Sequence, residues 1–140
     1  MRKSILIVSV FIVVVLIASL VLVYMNNTDY LSKTKHDTQR WAVIVDSHGD
    51  VIAVETTDQV VWDTLKALGL NQTEMWVGGV VEEYNNYWGF RFKPASIVVA
   101  EITIEGAQSN IRGISRDLDY WINVWSTQAY VLARISELHE

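Results

Sequence analysis

Histidine and the carboxylates are the side chains of this 140-residue chain that could bind a metal or support catalysis, because the chain contains no cysteine. The three histidines, His36, His48 and His139, lie too far apart in the sequence to share one helix face. His48 has a carboxylate two residues away on each side, Asp46 and Asp50, and the chemistry of a tight turn already accounts for both of them. We therefore expect no metal site and no cofactor.

Three pairs of acidic residues are close enough in sequence to be considered as an acid with its base: Glu82 with Glu83, Glu101 with Glu105, and Asp117 with Asp119. On an extended strand Glu101 and Glu105 share one face about 13 Å apart, which exceeds the separation that two cooperating catalytic carboxylates use. The chain also lacks the GxSxG, HExxH, phosphate-loop and dinucleotide-loop motifs. We expect no catalytic residue and no enzyme activity.

Aromatic side chains are the remaining candidates for contact with a ligand, and the chain is rich in them, with six Trp and six Tyr. Most such residues fill a core. Tyr84, Tyr87 and Trp88 surround a predicted turn, and Trp62 falls on the helix face opposite the predicted buried stripe. Exposed aromatic rings stack on sugars and anchor protein interfaces alike, so a glycan and a protein both remain open as the partner.

An uninterrupted apolar segment occupies residues 5–25, where 16 of the 21 residues are Ile, Leu, Val or Phe and none is charged. A helix of that length is about 30 Å long, which matches the hydrocarbon thickness of a bilayer. The segment is longer than the apolar core of a signal peptide, and its small residues Ala18 and Ser19 lie inside it. We predict an uncleaved signal-anchor, with a single transmembrane helix at 5–25 after a cytoplasmic tail at 1–4.

The rest of the chain divides into a polar stalk at 26–40 and one domain at 41–140. From position 41 onward there are 14 Asp and Glu against six Lys and Arg, a net charge of −8. A domain of this charge without clustered cations does not neutralise phosphates, so we expect no nucleic-acid partner.

The orientation of the anchor follows from the residues that flank it. Arg2 and Lys3 directly precede the apolar segment and favour a cytoplasmic N-terminus in the cell membrane, although three cations between positions 33 and 40 lie on the other side. Asn26 and Asn71 both begin N-x-Thr triplets, which are glycosylation acceptors only outside the cytoplasm. We predict that the domain is extracytoplasmic.

The hydrophobic patterns of the domain predict an α+β fold, with a small antiparallel sheet of five to six strands and two helices packed on it. The predicted strands lie at 41–45, 51–55, 75–83, 88–92, 97–105 and 129–135, and residues 136–140 form a tail. A helix starts at a capping box formed by Thr56 and Gln59, and a second helix covers 108–123.

Three details of this pattern can be checked individually. The first helix is expected to bury a stripe of apolar side chains and to end at Gly69; the stripe consists of Val60, Val61, Thr64, Leu65 and Leu68. Gly78 and Gly79 indicate a bulge or a close backbone approach in their strand. Arg91 is expected to pair across the sheet with Glu101 or Glu105.

The segment 79–97 also resembles a known family. Tyr84-Asn85, Trp88, Phe90 and Pro94, followed by a strand that ends at Glu105 and then a helix, are similar to a small α+β domain of secreted bacterial proteins. The family takes its name from the N-terminal domain of a protein labelled as calmodulin-binding. The resemblance implies a compact antiparallel sheet with two helices and no established catalytic centre.

Two departures limit what this resemblance implies. Members of the family often carry a Cys-Asp pair where this chain has Gly106-Ala107, so a role of that cysteine is absent here. Calmodulin binding is not carried over either, because the chain has no basic amphipathic helix.

Two functions remain after these exclusions. The first is a membrane-anchored extracytoplasmic binding module without enzyme activity, which contacts its partner through Trp62, Tyr84, Tyr87 and Trp88. The second is an accessory subunit of a larger membrane protein complex. Against the second, the apolar segment has no GxxxG motif and few small residues, which suits lipid better than a partner helix.

Overall fold

A computed structural model of the chain describes residues 13–19, 40–101 and 108–140. The chain forms two compact units, residues 1–34 and residues 35–140. In the first unit residues 13–19 are helical, and the apolar side chains from Val13 to Ile17 expose between 50% and 57% of their surface. Within the described residues, no helix combines the length and the apolarity needed to cross a bilayer. Apart from 13–19, the predicted span at 5–25 lies outside the described residues, as do Asn26 and almost all of the predicted stalk.

The second unit is an α+β domain with a mostly antiparallel sheet, which confirms the predicted class. Over the described residues this sheet has seven strands, whereas five or six were predicted. Its elements are β1 (Trp41–Asp46), β2 (Val51–Glu55), α1 (Gln59–Asn71), β3 (Met75–Glu83), β4 (Phe90–Phe92), β5 (Val98–Ala100), β6 (Gln108–Ser109), α2 (Ile111–Arg116) and β7 (Gln128–His139). A 3-10 turn at Pro94–Ser96 separates β4 from β5, and a π-helical turn at Tyr120–Trp125 precedes β7.

The strand order is β2-β1-β7-β3-β4, with β5 added to β3 and β6 added to β7. The long strand β7 is central: its first half pairs with β3 and its second half with β1, both antiparallel. The sheet curls so that its two end strands meet. The indole N–H of Trp88, just before β4, donates to the carbonyl oxygen of Val51 in β2 at 2.7 Å.

The predicted hairpin of β1 and β2 is confirmed, and the Asp46 carboxylate organises its turn. Its Oδ1 accepts hydrogen bonds from the backbone N–H groups of His48 (2.9 Å) and Asp50 (3.0 Å). Gly49 completes the turn with a φ of +82°, a conformation that costs glycine least. The other carboxylate oxygen of Asp46 accepts from the N–H of Ile111 at 3.0 Å, so this one side chain joins the turn to the start of α2.

Helix α1 exists as predicted, but its orientation and both of its ends differ. The cap is Asp58, whose side chain accepts from Val60 and Val61, while Thr56 only accepts from the N–H of Asp58. Leu65 and Leu68 are buried as predicted, and Val61 and Thr64 are partly buried. Trp62 and Val60 were assigned wrongly, because Trp62 is buried, with 1% of its surface exposed, and Val60 is 76% exposed. The buried stripe is therefore centred nearer to Trp62, which places the large apolar surface of the indole inside.

The end of α1 lies beyond Gly69, at Gln72, which adopts the left-handed conformation with φ 53°. Gly69 has a packing role instead. A Cβ atom at this position would lie 3.1 Å from Leu138 Cδ1 and 3.4 Å from Ile135 Cγ2. The glycine therefore lets α1 approach β7.

The predicted close backbone approach at Gly78 and Gly79 is confirmed. A Cβ atom on Gly78 would lie 2.0 Å from the carbonyl oxygen of Ala129, in the neighbouring strand β7. At Gly79 it would lie 2.9 Å from Ser96 Oγ, the hydroxyl that accepts from the N–H of Val80. Both positions need glycine because neighbouring chain segments occupy the space of a side chain.

The C-terminal third differs most from its prediction. The single helix expected at 108–123 is instead strand β6, the short helix α2 and the π-helical turn. The helix is interrupted at Asp117, whose φ of −134° is not helical. Residues 136–139, expected to form a tail, belong to β7, because β1 pairs with them as far as His139. The predicted strand at 97–105 is confirmed only at β5, and residues 102–107 lie outside the described part.

Candidate functional site

The loop at 84–89, between β3 and β4, holds three of the four predicted contact residues. Its backbone is closed by hydrogen bonds from the N–H of Tyr84 to Gly89 O (3.0 Å) and from the N–H of Gly89 to Asn86 O (3.2 Å). The Asn86 side chain accepts from the N–H of Trp88 at 3.1 Å and donates to the carbonyl oxygen of Phe90 at 2.6 Å. An asparagine that bridges both arms in this way fixes the turn.

Trp88 connects this loop to two other parts of the domain. Besides its indole bond to β2, its carbonyl oxygen accepts from the Ser115 hydroxyl in α2 at 2.7 Å. The side chain is half-buried against the core. The loop is therefore held by its own backbone, by β2 and by α2, and Trp88 positions the loop more than it offers a free surface.

Tyr87 is the residue that the loop presents to solvent, with 68% of its surface exposed. Its ring contacts the Trp88 ring edge-on, with centroids 4.8 Å apart and planes at 86°. This contact restricts the tyrosine ring while most of it stays accessible. A rigid, accessible aromatic ring is the type of side chain that anchors interfaces and stacks on sugar rings.

Beside the loop lies a surface depression of about 310 Å³. It is lined by Glu83, Tyr84, Asn85, Gly89 and Leu118. Its volume is at the low end of the range for small-ligand sites, roughly 300–1,000 Å³. The lining offers one carboxylate, one amide, one aromatic ring and one aliphatic side chain, a combination that suits a polar ligand with an apolar face.

A charged network supports Tyr84 from behind. The Arg91 guanidinium lies over the Tyr84 ring, 4.2 Å from its centroid. Arg91 Nε is 2.7 Å from Glu82 Oε1, and Arg91 Nη1 is 3.7 Å from Glu55 Oε1. Because Glu55 is buried, with 4% of its surface exposed, the network joins the interior end of β2 to the aromatic side chain in the depression. Arg91 was predicted to pair with Glu101 or Glu105, and because Glu105 lies outside the described residues this stays a prediction.

The structure thus brings together Tyr84, Tyr87 and Trp88. Trp62 is not part of this group, because it lies on the buried face of α1 in the hydrophobic core. The predicted glycosylation residue Asn71 is exposed at the last position of α1. Leu118 was not predicted for the site, since it lay within the helix predicted at 108–123. No sequence signal places it beside a loop some thirty residues earlier.

The carboxylates in the turn of β1 and β2 bind groups of the protein itself. The Asp46 carboxylate is bound to three backbone N–H groups, and Asp50 Oδ1 lies 2.7 Å from Arg112 Nη2. His48 is exposed and its ring nitrogen Nδ1 lies 3.3 Å from Ser47 Oγ. Over residues 13–19, 40–101 and 108–140, no group of three His, Asp or Glu side chains could hold a metal ion.

No family model, curated protein or solved structure matches this chain. The resemblance of the segment 79–97 to the domain named after a calmodulin-binding protein therefore remains a prediction.

Proposed function

We propose that this protein is a membrane-anchored, extracytoplasmic binding domain without enzyme activity, which contacts a glycan or a protein through the loop at 84–89. The observation that carries the proposal is a 68% exposed Tyr87 on a loop that is held at both ends. A loop ordered before binding loses less conformational entropy when a partner binds. Such a loop with an accessible ring is a favourable contact surface.

The depression extends this contact surface. Tyr84, positioned by Arg91, contributes an aromatic ring to it, while the exposed Glu83 and Asn85 contribute acceptor and donor groups. Sugar hydroxyls and peptide groups both satisfy such a lining. The hypothesis that Trp62 takes part is withdrawn, because a buried indole cannot reach a partner.

Support for the anchor comes from the sequence of residues 5–25 and from the helical conformation of residues 13–19, whose valine, leucine and isoleucine side chains are half exposed. Exposed aliphatic side chains of this kind suit the lipid hydrocarbon. Protease added to intact cells should remove the domain if it lies outside, and full protection would overturn this orientation.

Binding is tested with the full chain in lipid nanodiscs, presented to a glycan array and, in parallel, to an extract of surface proteins. Tyr87→Ala should reduce binding at least tenfold, about the effect of removing an interface anchor. Tyr120→Ala is the matched control, because Tyr120 is 36% exposed and lies outside the loop. Equal loss for both variants would refute a contact surface at 84–89. A stable hetero-complex after detergent extraction would instead favour the accessory-subunit function.

A further inference from the structure

Carboxylates lie in and next to the depression beside the loop at 84–89. Glu83 lines the depression, and Asp117 and Asp119 are the chain neighbours of Leu118, which also lines it. All three carboxylates belong to exposed residues. Within the described part of the chain, the side chains of Glu83 and Asp117 have no hydrogen-bond or ion-pair partner, so their charge is available to a ligand.

Among the described residues that line this depression, none is basic. Arg116, an exposed residue at the end of α2, is next to Asp117 in the chain, but it offsets only one of the three negative charges. From position 41 onward the domain carries a net charge of −8. A field of this sign raises the local concentration of cationic ligands and disfavours anionic ones.

The domain already holds one guanidinium group with side chains of this region. Arg91 lies over the Tyr84 ring, 4.2 Å from its centroid, and its Nε is 2.7 Å from Glu82 Oε1. Successive side chains of a strand point to opposite faces, so the neighbouring Glu83 points away from Arg91. A second guanidinium on the outer side would meet the same two kinds of group, a carboxylate and a tyrosine ring, since Tyr87 is 68% exposed.

We propose that the depression binds an arginine side chain from a basic segment of a partner protein. The guanidinium pairs with Glu83 and lies against the tyrosine rings of the loop, while its aliphatic stem packs on Leu118. This inference rests on the contact surface proposed above and selects a protein from the two partners considered there. The negative charge around the depression favours such a ligand over a neutral sugar.

The proposal is tested by fluorescence anisotropy with the full chain in phosphatidylcholine nanodiscs, whose lipid has no net charge. The probes are two short labelled peptides in which glycine alternates with either arginine or citrulline, the neutral isostere of arginine. The arginine peptide should bind about tenfold more tightly than the citrulline peptide. Glu83→Gln should lower the affinity for the arginine peptide about fivefold and leave the affinity for the citrulline peptide unchanged.

A matched control is available at the opposite end of the same strand. Glu74 is exposed and directly precedes β3, whereas Glu83 ends it, so the two residues are about 30 Å apart. Glu74→Gln removes the same charge from the domain and should change the affinity for the arginine peptide less than about twofold. Tyr87→Leu keeps an apolar side chain but removes the ring, and should lower this affinity about threefold.

Two results would overturn the arginine site. Equal losses for Glu83→Gln and Glu74→Gln would mean that the peptide responds only to the overall charge, and equal binding of the two peptides would mean that the positive charge is not recognised. A glycan or neutral peptide whose binding depends on Tyr87 but not on Glu83 would also overturn it, yet would leave the contact surface at 84–89 in place. That surface itself fails only if Tyr87→Ala and Tyr120→Ala have equal effects on every ligand.

Discussion

Replacing the buried Asp46 should strongly destabilise this domain. Its carboxylate is 5% exposed and accepts three backbone hydrogen bonds, two from its own turn and one from Ile111, which is fully buried. Asp46→Ala would leave the N–H groups of Asp50 and Ile111 buried without an acceptor, whereas the exposed His48 can turn to water. Each buried orphan costs about 1–3 kcal/mol. We expect a loss of about 3–4 kcal/mol in the free energy of unfolding.

This loss is measured by urea unfolding of the full chain in detergent, with tryptophan fluorescence as the readout. For a domain of this size it corresponds to a decrease in Tm of roughly 15–25 °C. Asp46→Asn should cost less than Asp46→Ala. The amide oxygen can still accept from the N–H groups of the turn, and only the N–H of Ile111 would then face another donor, the amide NH₂ group. Asp119→Ala is the control, since Asp119 is exposed and bonds only to the Asn123 side chain, and it should cost less than about 0.5 kcal/mol. A change below about 1 kcal/mol for Asp46→Ala would refute the role of this carboxylate as the link between the turn and α2.

Three further predictions concern single residues. Gly78→Ala should prevent folding or cost more than about 3 kcal/mol, because its methyl group meets the Ala129 carbonyl at 2.0 Å; circular dichroism and urea unfolding would show this. Trp88→Phe keeps an aromatic ring but removes the bond to Val51 O, and should cost about 1–2 kcal/mol in the same assay. If the domain passes through a glycosylating compartment, the exposed Asn71 should carry a glycan, and Asn71→Gln should lower the mass on a gel by one glycan, whatever Asn26 carries.

Each of these three substitutions has a control variant or an outcome that would contradict the prediction. Gly69→Ala, where the nearest atom is a flexible leucine methyl at 3.1 Å, should be far milder than Gly78→Ala, and equal effects would contradict the packing argument. Trp88→Phe without any loss of stability would show that the loop does not depend on its bond to β2. Asn123→Gln, which alters an asparagine outside any N-x-Thr triplet, should leave the mass unchanged.

Local patterns in the sequence identified most of the strands and the class of the fold. The hairpin of β1 and β2 was predictable because alternation and Gly49 act within a few residues. The burial of Trp62 was not predictable, because two faces of the helix are both partly apolar. Which of them is buried depends on how the helix packs on the sheet. Competition of this kind is settled by tertiary packing, to which helix propensity is only a weak guide.

The candidate site was predictable in part for the same reason. Tyr84, Tyr87 and Trp88 belong to one turn and therefore stay together in any fold that keeps the turn. Leu118 joins them because α2 ends beside the loop at 84–89, where Ser115 bonds to Trp88. Helix α2 begins where it does because Asn110 and Asp46 cap it, and Asp46 is 65 residues away from Ile111. Nothing in a short window of sequence reports a contact at that distance.

The way the chain enters the domain has a mechanical consequence. β1 begins at Trp41, whose ring stacks on His139 with centroids 3.7 Å apart, and it lies between β2 and β7. Arg40 Nε, just before it, is 3.4 Å from Glu140 Oε1. A force applied at Arg40 along the axis of β1 would load the hydrogen bonds to both neighbouring strands. These bonds lie across that direction, so they would resist together as a shear and would not open one at a time.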